Sequence, residues 1–306
     1  MIKKLILKTA LFAALVVVCD VCLGLFFDSI TEKITAGGLG KDNYICKEMK
    51  DDIVIFGSSR ASHHYDTKVL ADSFGMSAYN CGEDGCGILL ACARLSMARE
   101  RYQPKIIIFD VVPGYDVQKG EGSDFKWMKR WIGNNTVDNI IEDTQPDEKY
   151  KLISSAYKYN SSFLKNILIY ITGFSVEPNF NGYKPLKKKM KAQKEKTIKG
   201  ELPIDNDSIK LKYMKEFIKL AKGSHVYFVK SPIWYESDSI ECSKALPTKE
   251  LCQREGITFI DFTNSKKYLH QDKYFSDGKH LNETGAEEFT KDLTAEIKKY
   301  ENKYHH

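Results

Sequence analysis

A chain of 306 residues with 42% hydrophobic and 28% charged residues has the composition of a folded, enzyme-sized body, which excludes the disordered and fibrous classes. One open α/β core accommodates that length. Most of the net charge of +5 comes from one segment, where Lys184 to Lys199 holds eight lysines against Glu195; such a run reads as a solvated helix face or loop, or as a contact for anionic headgroups or an acidic polymer. No stacking aromatics or groove-reading motif accompany it, so no nucleic acid partner is expected.

In chain order, Lys3, Lys4 and Lys8 precede a run from Thr9 to Phe27 that is apolar except for Asp20, close to the ~20 residues that cross a bilayer. Residues 1–30 are therefore expected to be a membrane anchor or a signal segment. The lysines would stay cytoplasmic and the bulk of the chain would lie outside the cell membrane as a single-pass protein; cleavage of the leader, giving a secreted or periplasmic protein, is the alternative. Residues 31–48, with glycines around Gly37, read as a linker.

From residue 49 to 302 apolar runs alternate with helical stretches, the pattern of a parallel sheet covered on both faces, so the class is α/β with three layers. Strands are expected at Ile53–Phe56, Ser77–Tyr79, Lys105–Phe109, His225–Val229 and Thr258–Phe262. Helices are expected at Thr67–Phe74 after Asp66 as cap and before Gly75, at Ile88–Tyr102, and at Glu283–Tyr300. Between about 115 and 222 the pattern loosens around Trp127, Trp131 and the apolar stretch Phe163–Ile171; this reads as an insertion, either over the sheet's ligand-binding edge or as a packing subdomain.

Acyl transfer through a serine needs a hydroxyl on a tight turn, an imidazole to take its proton, an acid to orient the imidazole, and N–H donors for the oxyanion. Ser59 follows the first strand in Gly57-Ser58-Ser59, and Asp277 and His280 share one loop immediately before the last helix. Ser58 is the runner-up nucleophile. His63 and His64 are read as surface or cleft-lining groups, because a residue four or five along a turn seldom points back at the nucleophile. The eight cysteines, among them Cys81, Cys86 and Cys92, have no histidine at metal-ligand spacing, so zinc is not indicated. Neither a metal nor an organic cofactor is required for this chemistry.

The set Gly57-Ser58-Ser59, Asn80 to Gly85 after the second strand, and Asp277-x-x-His280 before the last helix resembles the SGNH/GDSL hydrolase superfamily, most of all its membrane-anchored branch that acts in exopolysaccharide acetylation and lipoteichoic acid D-alanylation. The resemblance spans roughly residues 50–112 and 224–300. It implies a flavodoxin-like fold, with Ser59 as nucleophile, Asp277 and His280 completing a triad, and the Gly85 N–H lining the oxyanion hole. It also implies an esterase or O-acyltransferase acting on an acylated carbohydrate or polyol of the cell envelope, with a membrane acyltransferase as a partner. The chain departs from the family at Phe109-Asp110-Val111-Val112-Pro113, where a Gly-x-Asn-Asp is usual; Asn80 or a residue of the insertion is then expected to supply the missing donor. An inactive envelope protein that binds carbohydrate or docks an acyltransferase is the alternative.

Overall fold

The computed structural model describes residues 1–120, 122–160, 162–174 and 181–304. They belong to two compact units, Met1–Tyr44 with Met128–Glu177, and Ile45–Trp127 with Pro178–His306. In chain order the elements that matter for the argument are α1 (Ile2–Glu32), α2 (Gly37–Asn43), β1 (Ile53–Gly57), α3 (Ser59–His64), α4 (Thr67–Phe74), β2 (Ala78–Asn80), α5 (Ile88–Arg99) and β3 (Ile106–Asp110). They are followed by α6 (Ser155–Tyr159), α7 (Phe163–Thr172), α8 (Ser208–Leu220), β4 (His225–Lys230), α9 (Leu246–Glu255), β5 (Thr258–Asp261) and α10 (Glu283–Tyr304).

The second unit is built on one sheet of order β2-β1-β3-β4-β5, parallel throughout. Ile53-Val54-Ile55-Phe56 and Ile106-Ile107-Ile108-Phe109 pair residue for residue at its centre, and all eight are buried. Continuous apolar runs of this kind suit strands covered on both faces. On one face Phe217 of α8 meets the rings of Phe56 and Phe109; on the other, Phe289 of α10 packs against Tyr65 and Phe262. The result is a three-layer α/β/α body. The expected strands and helices form within four residues of their expected ends, and Thr67–Phe74 matches at both. Asp66 caps α4 by accepting from Lys68 and Val69 N–H, and Gly75 ends it in the left-handed region at φ 64.

This strand order places a topological switch point between β1 and β3, where connections leave in opposite directions and open a crevice at the strands' carboxyl ends. Ser59 stands at that crevice because β1 ends at Gly57.

Two expectations need correction. The presumed linker 31–48 is helical: α2 is followed by a π-helical turn, Tyr44–Glu48. Its polar residues are held inside the first unit, where the Asn43 amide donates to Thr31 and Ile34 carbonyls and Trp131 Nε1 donates to Asp42. The loose stretch 115–222 is not a single insertion either. Residues 128–177 join the first unit, whereas α8 is the helical crossover that parallel strands β3 and β4 require. The lysine run is a solvated loop, as one of its readings has it: residues 184–196 form neither helix nor strand, 187–189 and 191–196 are exposed, and the backbone is tied by Lys184 N–H to Ser62 O, Met190 N–H to Phe275 O and Glu283 N–H to Leu186 O.

The first unit contains α1, the one helix among the described residues long and apolar enough to cross a membrane. Its Asp20 accepts hydrogen bonds from Ser154 Oγ and from the Ser155 and Ala156 N–H groups. Phe27 and Ile30 pack with Tyr159 and Ile167.

Candidate active site

Gly57 opens the turn that carries Ser59. Its φ is 138, and a Cβ there would stand 2.7 Å from the Asp110 carbonyl oxygen of the neighbouring strand, so only glycine fits. Ser58 caps α3 and Ser59 is the first residue of that helix. The Ser59 N–H therefore has no intrahelical acceptor and is free to meet a ligand.

Ser59 Oγ lies 2.8 Å from His280 Nε2. On the other side of the ring, Nδ1 is 3.0 Å from Asp277 Oδ2 and 3.1 Å from Oδ1. The loop is self-supporting: Asp277 Oδ1 accepts from Lys279 and His280 N–H, and Ser276 N–H donates to the His280 carbonyl. Burial alone would raise the Asp277 pKa, but the Lys279 N–H and the His280 ring outweigh it and hold the carboxyl below its ordinary value. Ser59, Asp277 and His280 are thus in one line, and Ser59, not Ser58, supplies the hydroxyl that meets the imidazole.

They open onto a cleft of about 740 Å³ lined by Ser58, Ser59 and Arg60 after β1, by Val112 to Tyr115 after β3, and by Lys199, Lys230, Ser231, Lys279 and His280 among others. The segment Phe109–Pro113 thus reaches the cleft at Val112 and Pro113. Neither Gly85 nor Asn80 lines this cleft. Gly85 adopts φ 73, and its carbonyl accepts from Ser123 N–H. Asn80 is fully buried, with its amide donating to the Ala61 and Tyr65 carbonyls and its oxygen accepting from Gly82 N–H. Asn80 therefore braces α3 from behind, and its donors are not available to a substrate. The Ser58 hydroxyl, in contrast, is buried in the cleft wall with no hydrogen-bond partner among the described residues.

Sequence reasoning missed the groups behind the triad. His64 is fully buried, not a surface residue. Burial and the nearby Arg60 charge hold its pKa well below the usual imidazole value. Its Nε2 accepts from Leu281 N–H at 3.0 Å, so its proton sits on Nδ1, 3.0 Å from Ser231 Oγ. Neutral His64 thereby anchors the residue that follows His280. His63 is also buried, tied through Nδ1 to the Lys184 carbonyl and through Nε2 to Asp84 at 3.3 Å. Arg60 donates to the Val111 carbonyl and lies 3.5 Å from the buried Asp110, which also accepts from the Tyr65 hydroxyl. Only the adjacency of these residues to Ser59 could have flagged them. Cys86 is no rival nucleophile, because burial pushes its thiol pKa far up.

No protein-family model matches the chain, and no curated protein matches it. Among solved structures, a Streptococcus pneumonia protein provisionally described as a platelet activating factor is similar over 94% of this chain and 99% of its own, with 10% sequence identity and a TM-score of 0.42.

Proposed function

We propose that the sheet unit is a serine esterase or O-acyltransferase of the SGNH/GDSL type that works through an acyl-enzyme at Ser59. The observation that carries this reading is the continuous contact Ser59 Oγ, His280 Nε2, His280 Nδ1, Asp277 at hydrogen-bond distances. With Asp277 ionised and holding the proton on Nδ1, Nε2 presents a lone pair to the serine hydroxyl. His280 takes the hydroxyl proton as Oγ bonds to the ester carbonyl carbon, and the carbonyl electron pair moves onto oxygen. Collapse expels the alcohol, which takes that proton from His280. Water then regenerates the serine in an esterase; a carbohydrate or polyol hydroxyl does so in a transferase.

The oxyanion needs donors at the mouth of α3. The Ser59 N–H is one, and the unpartnered Ser58 hydroxyl is the group best placed to replace the missing asparagine; Gly85 is assigned to this role by resemblance alone. The cleft wall carries Arg60, Lys199, Lys230, Lys244 and Lys279 against Glu201 and Glu241, a surface suited to a polar, hydroxyl-rich or anionic acyl carrier of the envelope. The test is p-nitrophenyl acetate hydrolysis by the full chain in detergent. Loss of turnover in both Ser59→Ala and His280→Ala supports the proposal, whereas turnover that survives in both removes it.

A further inference from the structure

Helix α7 in the first unit is apolar but for Lys165, Asn166 and Thr172, yet one apolar side of it is uncovered. Asn166 and Ile169 are buried, and Ile167 packs against Phe27, Ile30 and Tyr159. The opposite side presents Leu164, Leu168 and Ile171 at positions i, i+4 and i+7, exposed at 73%, 62% and 74%, with Phe174 at 68% just beyond. A contiguous bare stripe of this kind on a folded unit marks an interaction surface.

The depth of α1 identifies what covers it. At about 1.5 Å per residue, the 16 residues from Lys4 to Asp20 span about 24 Å. A hydrocarbon layer of about 30 Å that begins at Lys4 would therefore end some four residues past Asp20, near Gly24. At this level α6 and α7 meet α1. Asp20 receives the first N–H groups of α6 and the Ser154 hydroxyl. Gly24 lets Ser155 approach so closely that a Cβ would collide with its hydroxyl, and the Phe27 ring meets Phe163 at 6.1 Å between centroids. The carboxylate that interrupts the apolar run is thus satisfied inside the unit, as a charge near hydrocarbon must be.

We propose that α7 is a second membrane contact. It lies along the headgroup layer at the far end of α1, with Leu164, Leu168, Ile171 and Phe174 seated in the acyl boundary, as amphipathic interfacial helices are. The partner is the lipid surface itself. The chain is then held at two points, and the first unit rests on the bilayer instead of swinging from one helix. The proposal assumes that α1 spans, and it is independent of the chemistry at Ser59.

The test uses the full chain in phosphatidylcholine–phosphatidylglycerol vesicles. An environment-sensitive fluorophore is attached through Leu164→Cys, Leu168→Cys or Ile171→Cys in a background with the accessible Cys19, Cys22 and Cys242 replaced by alanine. Cys19 retained alone marks α1, and Lys291→Cys, exposed on α10, marks the aqueous surface. The expected result is doxyl-lipid quenching at the three α7 sites within about twofold of that at Cys19, and iodide quenching about fivefold weaker than at Lys291. Iodide quenching equal to that at Lys291 would overturn the proposal. So would protection from both quenchers, which would mean that protein covers the stripe, or a Cys19 that lipid does not quench.

Discussion

Asp277→Asn isolates the role of the acid from its place in the loop. Asp277 Oδ1 accepts from Lys279 and His280 N–H at 2.8 and 3.0 Å, and an asparagine oxygen can keep both bonds. The other carboxylate oxygen, 3.0 Å from His280 Nδ1, becomes an NH2 group. It donates to Nδ1 and drives the ring proton onto Nε2, which then donates to Ser59 Oγ instead of accepting its proton. The wrong tautomer costs a Ser-His-Asp enzyme about 10⁴-fold in kcat, and this site should lose about 10³ to 10⁴-fold. At about 1.36 kcal/mol per tenfold that is about 4 to 5.5 kcal/mol of transition-state stabilisation. KM should change little and the neutral-pH melting temperature should fall only slightly, because the side chain is half-exposed and its backbone contacts survive. Steady-state hydrolysis of p-nitrophenyl acetate with a parallel thermal melt reads both. A folded Asp277→Asn chain that keeps more than about a tenth of wild-type kcat would refute the assigned tautomer and with it the role of Asp277.

The same carboxyl predicts a pH effect on stability. Its folded pKa is depressed, so its contribution is complete above the unfolded value of about 3.9 and disappears as pH falls through the lower folded value; melting curves of wild type and Asp277→Asn should therefore converge below about pH 4, and a gap that widens there contradicts the assignment. Gly57→Ala forces a side chain into φ 138 against the Asp110 carbonyl, and urea titration should show a loss of at least about 1–3 kcal/mol. His64→Ala leaves the buried Leu281 N–H without its acceptor, a loss of about 1–3 kcal/mol. It should also lower kcat with KM little changed, because His280 is no longer anchored; unchanged kcat would make His64 a packing residue only. Lys230 is buried in the cleft wall, where desolvation lowers its pKa. Lys230→Met should raise the melting temperature while reducing kcat/KM more for esters with an anionic group than for neutral ones; an equal reduction for both would argue against an anion-binding wall.

The sheet was legible in the sequence because each central strand is a short apolar run closed by a glycine or a polar turn, and because Asp66 and Gly75 bracket α4 with an unambiguous cap and stop. Ser59 was nominated because it follows the first strand and Asp277 and His280 because they share the loop before the last helix, and the structure brings the three within hydrogen-bond distance. Residues 31–48 were not, since the signal there is tertiary: Asp42 and Asn43 look like linker residues until Trp131 and the Thr31 and Ile34 carbonyls are brought to them. Asp20 looked like an interruption of an apolar span for the same reason, because its partners lie more than 130 residues away. His64 and Asn80 were misplaced because their bonds, to Leu281 N–H for His64 and to the Ala61 and Tyr65 carbonyls for Asn80, leave no trace in residue spacing.

The most direct test of the central claim is covalent capture. The full chain in detergent is treated with an acyl-phosphonate, and the adduct is located by peptide mass spectrometry. One adduct on Ser59, formed in wild type, suppressed in His280→Ala and absent in Ser59→Ala, is the predicted result. A folded wild-type chain that takes no adduct at Ser59, or takes it equally without His280, would contradict the claim that this serine is an activated nucleophile.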